Sequence, residues 1–225
     1  MSSLLPIKQI KEAKHILIKS DLKSFPQASV LYSYLLQEHK KVSLYLEENK
    51  SKKYAFLAWF DKIRTTKPLS ADLEIDADIS VMELYLFLQN NGIKINKKMA
   101  TALYCGFFES YENFLSPKCD GMLFAAVGEL LAFGAEHTKC VENLCKSIPL
   151  SRMRLQGTLL QKFVLQKNAS VAFVEICDED LQQSGATMDD LYVVAAELLK
   201  LVHVQEVHLL KRDAKNKILK IIKDV

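Results

Sequence analysis

The chain has 225 residues, of which 49% are hydrophobic and 25% charged, and its formal net charge is +3 at pH 7. This length allows one large domain or two small ones with a substantial core. So slight a charge does not make the strong basic footprint of a dedicated nucleic-acid binder. No apolar run reaches the roughly 18 residues needed to cross a bilayer, and the N-terminus lacks a signal-peptide core. The sequence therefore predicts a cytoplasmic protein that does not enter a membrane.

Five cysteines stand at positions 105, 119, 140, 145 and 177, without CxxC spacing. We expect these thiols to be reduced and partly buried. His137, Cys140 and Cys145 form the most obvious group of metal-binding residue types. Because positions five apart on a helix point about 140° apart, ordinary helix packing is the better interpretation of this group.

The first part of the chain alternates helix and strand patterns. A short amphipathic helix at 7–14 leads into strand HILI at 15–18, and Pro26 suits the first turn of the next helix. KVSLYL at 41–46 predicts a second strand, so the β-α-β order favours a parallel sheet. The apolar face of the helix between these strands is formed by Val30, Leu31, Tyr34 and Leu35.

The segment 47–70 has a mixed pattern, in which YAFLAWF could form a short helix or a strand and TTKPLS forms a loop. DLEID at 72–76 predicts a third strand. From 79 to about 147 the pattern is helical, and Gly92 and Gly134 suit the ends of two of these helices.

Pro149 begins a helix at 149–163 that is expected to join two lobes. A strand at 170–177 follows, then two helices capped near Asp178 and near Thr187, where Asp190 completes an approximate capping box. The ranges 205–211 and 216–222 predict the last strands, although the final one could be helical.

The predicted fold class is α/β. The N-terminal lobe, 1–147, would hold a shortened, doubly wound, mostly parallel sheet and a helical block. A linker helix at 148–163 would lead to a small second α/β lobe at 164–225.

Three stretches carry a resemblance to a known family. INKKMATALYCGFFESYENF at 95–114 is similar to the pattern T-A-L-Y-x-G-x-x-x-D-T-G-x-F, and IPLSRMRLQGTLLQ at 148–161 to P-L-S-R-x-R-L-x-G. The stretch 171–191 resembles the opening of the C-terminal substrate domain of the same family. These are motifs of the DHH-family phosphoesterases, specifically the bacterial nanoRNase and RecJ-like branch. Their order and spacing fit, and the resemblance covers most of the chain, most specifically 79–191.

The resemblance implies a two-metal phosphodiesterase of short oligonucleotides or cyclic dinucleotides, with carboxylate and imidazole ligands from four places. The first place is a loop of the form H-x-N-P-D-G-D-A. Alignment on HILI puts Asp21 at its histidine and Phe25 and Gln27 at its two aspartates, while Ala28 matches. Phe25 cannot bind a metal, and the neutral Gln27 is a poor substitute for a bridging carboxylate.

The second and third places are an aspartate after a later strand and the D-H-H motif itself. That motif is absent, because no histidine occurs between His39 and His137. Asp72, Asp76 and Asp78 are the only nearby carboxylates that could be remnants, and we expect them on a solvated strand edge or loop.

The fourth place is the aspartate of the D-T-G turn, where Ser110 stands between Glu109 and Glu112. In the C-terminal lobe, the family has a glycine-rich loop with a histidine that grips the terminal nucleotide. That loop is missing from this sequence, in which every glycine lies at or before Gly185.

Other residues have both functional and structural interpretations. Arg152 and Arg154 could meet a phosphate in the cleft between lobes, but capping or an ion pair is the better interpretation. His203 and His208 are expected to be structural. The basic run at 211–224 could contact nucleic acid. It could equally well be an edge strand whose lysines prevent pairing with another chain.

The losses at all four places favour a catalytically inactive relative of the DHH phosphoesterases. It would act through binding or assembly, as a homodimer, with another protein, or with a nucleotide or nucleic acid, and without a cofactor. The alternative is an active metal-dependent phosphodiesterase or phosphatase with a rebuilt site. That site would use Asp21, Asp76 or Asp78, and Glu109, with Mn²⁺ or Mg²⁺.

Overall fold

The computed structural model describes residues 5–46, 52–68, 70–146, 148–212 and 217–222. The chain divides into two compact units, 1–146 and 147–225. No helix within the described ranges is both long and apolar enough to cross a bilayer.

The first unit contains a four-stranded sheet and six helices in its described part. Its strands are β1 (His15–Ser20), β2 (Lys41–Leu46), β3 (Ile63–Arg64) and β4 (Leu73–Asp76). Its helices are α1 (Ile7–Glu12), α2 (Phe25–Gln37), α3 (Val81–Asn90), α4 (Lys97–Ser110), α5 (Gly121–Ala132) and α6 (His137–Leu144). Short 3₁₀ turns lie at Phe60–Lys62 and Glu112–Phe114.

The sheet has the strand order β3-β2-β1-β4, and every pair is parallel. β1 lies inside the sheet, and its residues Ile16, Leu17 and Ile18 are fully buried. Such a continuous apolar run is typical of a parallel strand covered on both faces. The predicted parallel sheet is therefore confirmed.

Two helices of this unit end as their glycines predict. Gly92 follows α3 with φ +63°, and Gly134 follows α5 with φ +89°. A third glycine, Gly106 in α4, allows close helix packing, because a Cβ there would lie 3.0 Å from Cγ2 of Val81 in α3 and 3.6 Å from Cβ of Pro26 in α2. Pro26 lies in the first turn of α2, as expected.

The sequence prediction was wrong in the segment after β2. YAFLAWF forms turns that lead into the 3₁₀ turn at Phe60–Lys62, and is neither a regular helix nor a strand. β3 was missed, because two residues are too few to show a period of two. Positions 47–51 and 69 of this segment lie outside the described residues.

The second unit is a small α/β fold. Its elements are α7 (Leu150–Lys162), β5 (Val164–Gln166), β6 (Val171–Cys177), α8 (Asp178–Ser184), α9 (Met188–Ala196), β7 (Glu206–Arg212) and β8 (Lys217–Ile222). The strand order is β5-β6-β7-β8, with β6 and β7 parallel and the two outer pairs antiparallel. The last element is a strand, as first expected, and β5 was missed because its three residues are all exposed.

Candidate functional site

The strand order of the first unit fixes where a ligand cleft forms. The chain runs from β1 outward through β2 to β3 and then returns to β4 on the other side of β1. In open α/β sheets, ligands bind outside the carboxyl ends of the strands where this reversal occurs. A cavity of about 300 Å³, which we call the strand-end cavity, lies there and is lined by Lys19, Ser20, Asp21, Ser24, Tyr45, Asp76 and Asp78.

A second cavity shares Asp78 with the first. Its volume is about 410 Å³, and we call it the Ser110 cavity. Gln27 and Ser110 both line it, so the structure brings together two positions that the motif alignment assigns to metal ligands. Its other lining residues are Ile79, Ser80, Val81, Tyr111 and Lys118.

Asp21 is bound to the first turn of α2. Its Oδ1 accepts hydrogen bonds from the backbone N–H of Ser24 at 2.7 Å and from the Ser24 hydroxyl at 2.8 Å. Burial opposes ionisation, but these hydrogen bonds outweigh it and hold the pKa of Asp21 below its usual value. The side chain that stands at the family's histidine therefore stabilises a helix start.

Phe25 points into the core. It is fully buried, and its ring stacks on Tyr54 at 5.9 Å between centroids and meets Phe60 edge-on at 5.4 Å. The Tyr54 hydroxyl in turn donates a hydrogen bond to Glu109. An aromatic cluster thus stands where the resemblance places a metal-binding aspartate.

Gln27 bridges α2 to the start of α3. Its Nε2 donates a hydrogen bond to the backbone oxygen of Ile79 at 3.1 Å. Its Oε1 is buried and has no hydrogen-bond partner among the described residues. This oxygen is a hydrogen-bond acceptor and carries no formal charge. It therefore suits an N–H or O–H donor better than a cation.

The three aspartates proposed as remnants lie at opposite ends of the sheet. Asp72 accepts hydrogen bonds from the N–H groups of Lys14 and His15 at 2.9 and 2.8 Å, at the amino end of β1. Asp76 is the last residue of β4, and Asp78 follows it. Both line the strand-end cavity, and Asp76 Oδ1 accepts a hydrogen bond from the Asp78 N–H at 3.0 Å. Asp72 therefore lies outside the cleft.

Glu109 does not line the strand-end cavity. Its carboxylate is half-buried, accepts the Tyr54 hydroxyl and forms an ion pair with Lys53. The structure thus brings together Asp21, Asp76 and Asp78 but leaves Glu109 in another environment.

The turn after Ser110 contains a feature that the sequence analysis missed. Glu112 stands at the glycine of the D-T-G pattern and has φ +52°, and the next two residues also have positive φ. Glycine adopts this conformation without penalty, whereas other residues do so rarely. The turn thus has a backbone conformation that glycine prefers, although a glutamate stands there. The absence of the motif's glycine from the sequence was the signal that could have revealed this strain.

A two-metal centre does not fit these residues. Manganese or magnesium needs several anionic oxygens or imidazoles, and the ligand places hold Phe25, Gln27 and Ser110 instead. Asp21 and Asp76 share a cavity, but their Oδ1 atoms already accept hydrogen bonds from the chain. Within the described ranges, no three His, Cys, Asp or Glu side chains form a group that could hold a metal ion.

The cleft carries an acidic rim. Three carboxylates line the strand-end cavity together with one lysine, Lys19, which forms an ion pair with Glu74. Without a divalent cation, such a surface repels phosphate groups.

The two arginines of the second motif have different environments. Arg152 donates two hydrogen bonds to Oδ1 of Asp190, from Nε at 3.0 Å and Nη2 at 2.8 Å. Asp190 is also the third residue of the capping box begun by Thr187, as predicted. Arg154 is exposed, and its side chain has no hydrogen bond or ion pair within the described part of the chain.

Three of the remaining candidates are buried or lie close to a neighbouring polar side chain. His137 Nδ1 lies 2.6 Å from the hydroxyl of Tyr104, and Cys140 is buried. His208 Nε2 lies 2.7 Å from a Glu206 oxygen, and His203 is exposed. In the basic run at 211–224, positions 213–216 and 223–224 lie outside the described residues.

Comparisons with known proteins identify the fold. No protein-family model and no curated protein matches the sequence. Among solved structures, an exopolyphosphatase-related protein from Bacteroides fragilis is similar, with 15% identity and a TM-score of 0.79 over 97% of this chain and 82% of that one. An exonuclease RecJ bound to manganese has 14% identity and a TM-score of 0.45, over 94% of this chain and 82% of that one. The protein therefore shares the α/β fold of the exopolyphosphatase-related protein.

Proposed function

We propose that this protein is a catalytically inactive relative of the DHH phosphoesterases that acts through binding or assembly. The observation that carries the proposal is the environment of Phe25. Its ring belongs to a buried cluster with Tyr54 and Phe60, so the place of a metal-binding carboxylate is filled by core packing. A neighbouring carboxylate could compensate for a single exposed substitution, but here the packing of Phe25 with Tyr54 and Phe60 leaves no carboxylate at this position.

The charges of the cleft favour a protein partner over a nucleotide. Asp21, Asp76 and Asp78 line the strand-end cavity, and its one cation is paired. A phosphate would approach three carboxylates without a metal to offset their charge. A protein surface that supplies N–H groups or a lysine suits the same cleft.

The second candidate function is a metal-dependent phosphoesterase with a rebuilt site. The convergence of Asp21, Asp76 and Asp78 on one cavity favours it. It requires these aspartates to exchange their present hydrogen bonds for a Mn²⁺ or Mg²⁺ ion.

A hydrolysis assay separates the two candidates. Purified protein with Mn²⁺ is given bis(p-nitrophenyl) phosphate and, separately, dinucleotides, and we expect no turnover above buffer. Asp76→Asn and Ser110→Ala test the cleft, and Asp61→Asn changes an exposed aspartate outside it. Manganese-dependent hydrolysis that Asp76→Asn or Ser110→Ala abolishes and Asp61→Asn leaves intact would establish the second candidate.

The thiols support a cytoplasmic location. All five cysteines are free, and two of them, Cys105 and Cys140, are buried in the core. Free thiols in this number are typical of a reducing compartment.

A further inference from the structure

The first unit has a further cavity at the amino end of α4. Its volume is about 410 Å³, a size typical of small-molecule sites. We call it the Trp59 cavity; its lining includes Ser33, Leu36, Trp59, Asn96, Lys97 and Lys98. Lys97 begins α4 and Ser110 ends it, so at about 1.5 Å per residue the helix places the Trp59 cavity roughly 20 Å from the Ser110 cavity. The Trp59 cavity is therefore separate from the cleft at the strand ends.

Trp59 supplies an apolar wall whose position is fixed by its neighbours. Its Nε1 donates a hydrogen bond to Ser33 Oγ at 2.8 Å, and its ring stacks on Tyr32 at 4.9 Å between centroids. The backbone of Trp59 has φ +68°, a left-handed conformation that a bulky residue rarely adopts and that is found most often at functional sites. Leu36, which is 39% exposed, extends the apolar part of the lining.

The rest of the lining is positively charged. Lys97 and Lys98 lie in the first turn of α4, which has no acidic residue, although the helix dipole favours acidic residues there and disfavours lysine. Lys97 shares the carboxylate of Glu136 with Lys139. Lys98 is exposed, its Nζ lies 4.4 Å from the centroid of the Trp59 ring, and it forms no ion pair with the described residues. No lining residue is acidic, so an anion in the cavity would meet two ammonium groups and no carboxylate.

Asn96 adds a hydrogen-bond donor beside these ammonium groups. Its side-chain oxygen accepts the backbone N–H of Met99 at 3.1 Å, while its Nδ2 has no partner among the described residues. The strand-end cavity has the opposite character, since three carboxylates line it. The two cavities therefore favour ligand groups of opposite charge.

We propose that the Trp59 cavity binds a small organic anion with an apolar body. The acidic group, a carboxylate or a phosphoryl group, pairs with Lys97 and Lys98, and the apolar body contacts Trp59 and Leu36. Both parts of the ligand are needed, because inorganic phosphate has the charge without the body and an aromatic alcohol has the body without the charge. This inference does not rest on the absence of catalysis.

Fluorescence titration of the full chain tests this proposal, because Trp59 is the only tryptophan in the sequence. Phenylacetate and phenylphosphonate, whose phosphorus–carbon bond a phosphoesterase does not cleave, are titrated separately in metal-free buffer. We expect a saturable change of the Trp59 emission with a dissociation constant of roughly 0.1–1 mM for the tighter of the two, which identifies the acidic group. Benzyl alcohol and inorganic phosphate should bind about tenfold more weakly or worse.

Lys98→Gln removes the exposed ammonium group and should weaken binding by about tenfold, whereas Lys98→Arg keeps the charge and should stay within about threefold. Lys8→Gln in α1 is the matched control, since this exposed lysine does not line the cavity, and it should change the constant by less than about twofold. Calorimetry repeats the titrations of the Lys98 variants, and urea unfolding checks that each variant is folded.

The absence of a saturable change up to about 10 mM of either anion contradicts the proposal. So does benzyl alcohol that binds as tightly as the anions, or an affinity that Lys98→Gln leaves unchanged or that Lys8→Gln lowers equally. The titration uses no metal and no hydrolysis, so it and the hydrolysis assay can fail separately.

Discussion

Phe25 stands where the resemblance places a metal-binding aspartate, and in this structure it packs the core. Its ring contacts Tyr54 and Phe60, and the Tyr54 hydroxyl donates to Glu109. The Glu109 carboxylate is thereby bound to the buried Tyr54 hydroxyl and to Lys53. Phe25 and the Glu109 carboxylate thus belong to the same packing arrangement.

At Glu112 the backbone conformation and the residue type conflict. Glu112→Gly should stabilise the protein by about 0.5–1 kcal/mol, because φ +52° strains a glutamate but not a glycine. The measurement is the free energy of unfolding in urea. Glu112→Ala is the control, since alanine is strained there as well; equal stability of the two variants would contradict the argument.

Asp190 has two structural roles, as the third residue of a capping box and as the partner of Arg152. Asp190→Ala should lower the free energy of unfolding by about 1–3 kcal/mol, since it leaves the N–H of Thr187 and part of Arg152 unpaired. Asp189→Ala removes an exposed acidic neighbour in the same turn and should cost at most about 0.5 kcal/mol. Similar losses for both variants would show that the pairing contributes nothing specific.

The second unit should lose stability in acid. Burial opposes ionisation of Asp180 and Asp190, but hydrogen bonds from Cys177, Lys162, Thr187 and Arg152 outweigh it, so the pKa of both carboxyls is lowered. A lowered folded-state pKa gives stability that is present above the ordinary value of 3.8 and is lost as the pH falls through the folded pKa. The free energy of unfolding should therefore fall below about pH 4, and less steeply in Asp190→Asn. An identical acid slope in that variant would contradict this account.

Among the elements, α4 keeps those motif residues that pack the fold. Thr101 Oγ1 donates to the Lys97 carbonyl and accepts the Glu136 N–H, and Tyr104 pairs with His137. The positions of the same motif that would bind metal hold other residues. These contacts stabilise the fold whether or not a metal binds.

Gly106 tests the packing of α4 directly. Gly106→Ala should destabilise the protein by about 1–3 kcal/mol, because its Cβ would lie 3.0 Å from Val81 Cγ2. In a Val81→Ala background that methyl is gone, so the same substitution should cost much less. A double-mutant cycle in urea measures this coupling, and additive effects would show that the close approach is not the cause.

The long elements were predictable, and the shortest were not. The regular spacing of apolar residues, together with residues typical of helix ends, predicted β1, α2 and the helices that end at Gly92 and Gly134. These segments are long enough for a pattern to repeat. β3 and β5 have two and three residues, and the sheet alone holds them in place. The segment after β2 was ambiguous since its aromatic residues pack separately, Tyr54 and Phe60 against Phe25 and Trp59 against Tyr32, and so show no period.

At the scale of the whole molecule, the place of the cleft followed from the sequence, but its interior did not. Alignment on β1 put Asp21, Phe25 and Gln27 after the strand, and the strand order put Asp76 beside them. The pairing of Tyr54 with Glu109 joins residues far apart in the chain, so no local pattern could reveal it.

The central claim is that this protein does not form a two-metal centre, and calorimetric titration of the full chain with Mn²⁺ tests it most directly. We expect no saturable heat up to about 1 mM Mn²⁺, because the ligand places hold Phe25, Gln27 and Ser110 and the remaining aspartates bind their own chain. Saturable binding of two ions per chain, lost in Asp76→Asn and kept in Asp61→Asn, would contradict the account.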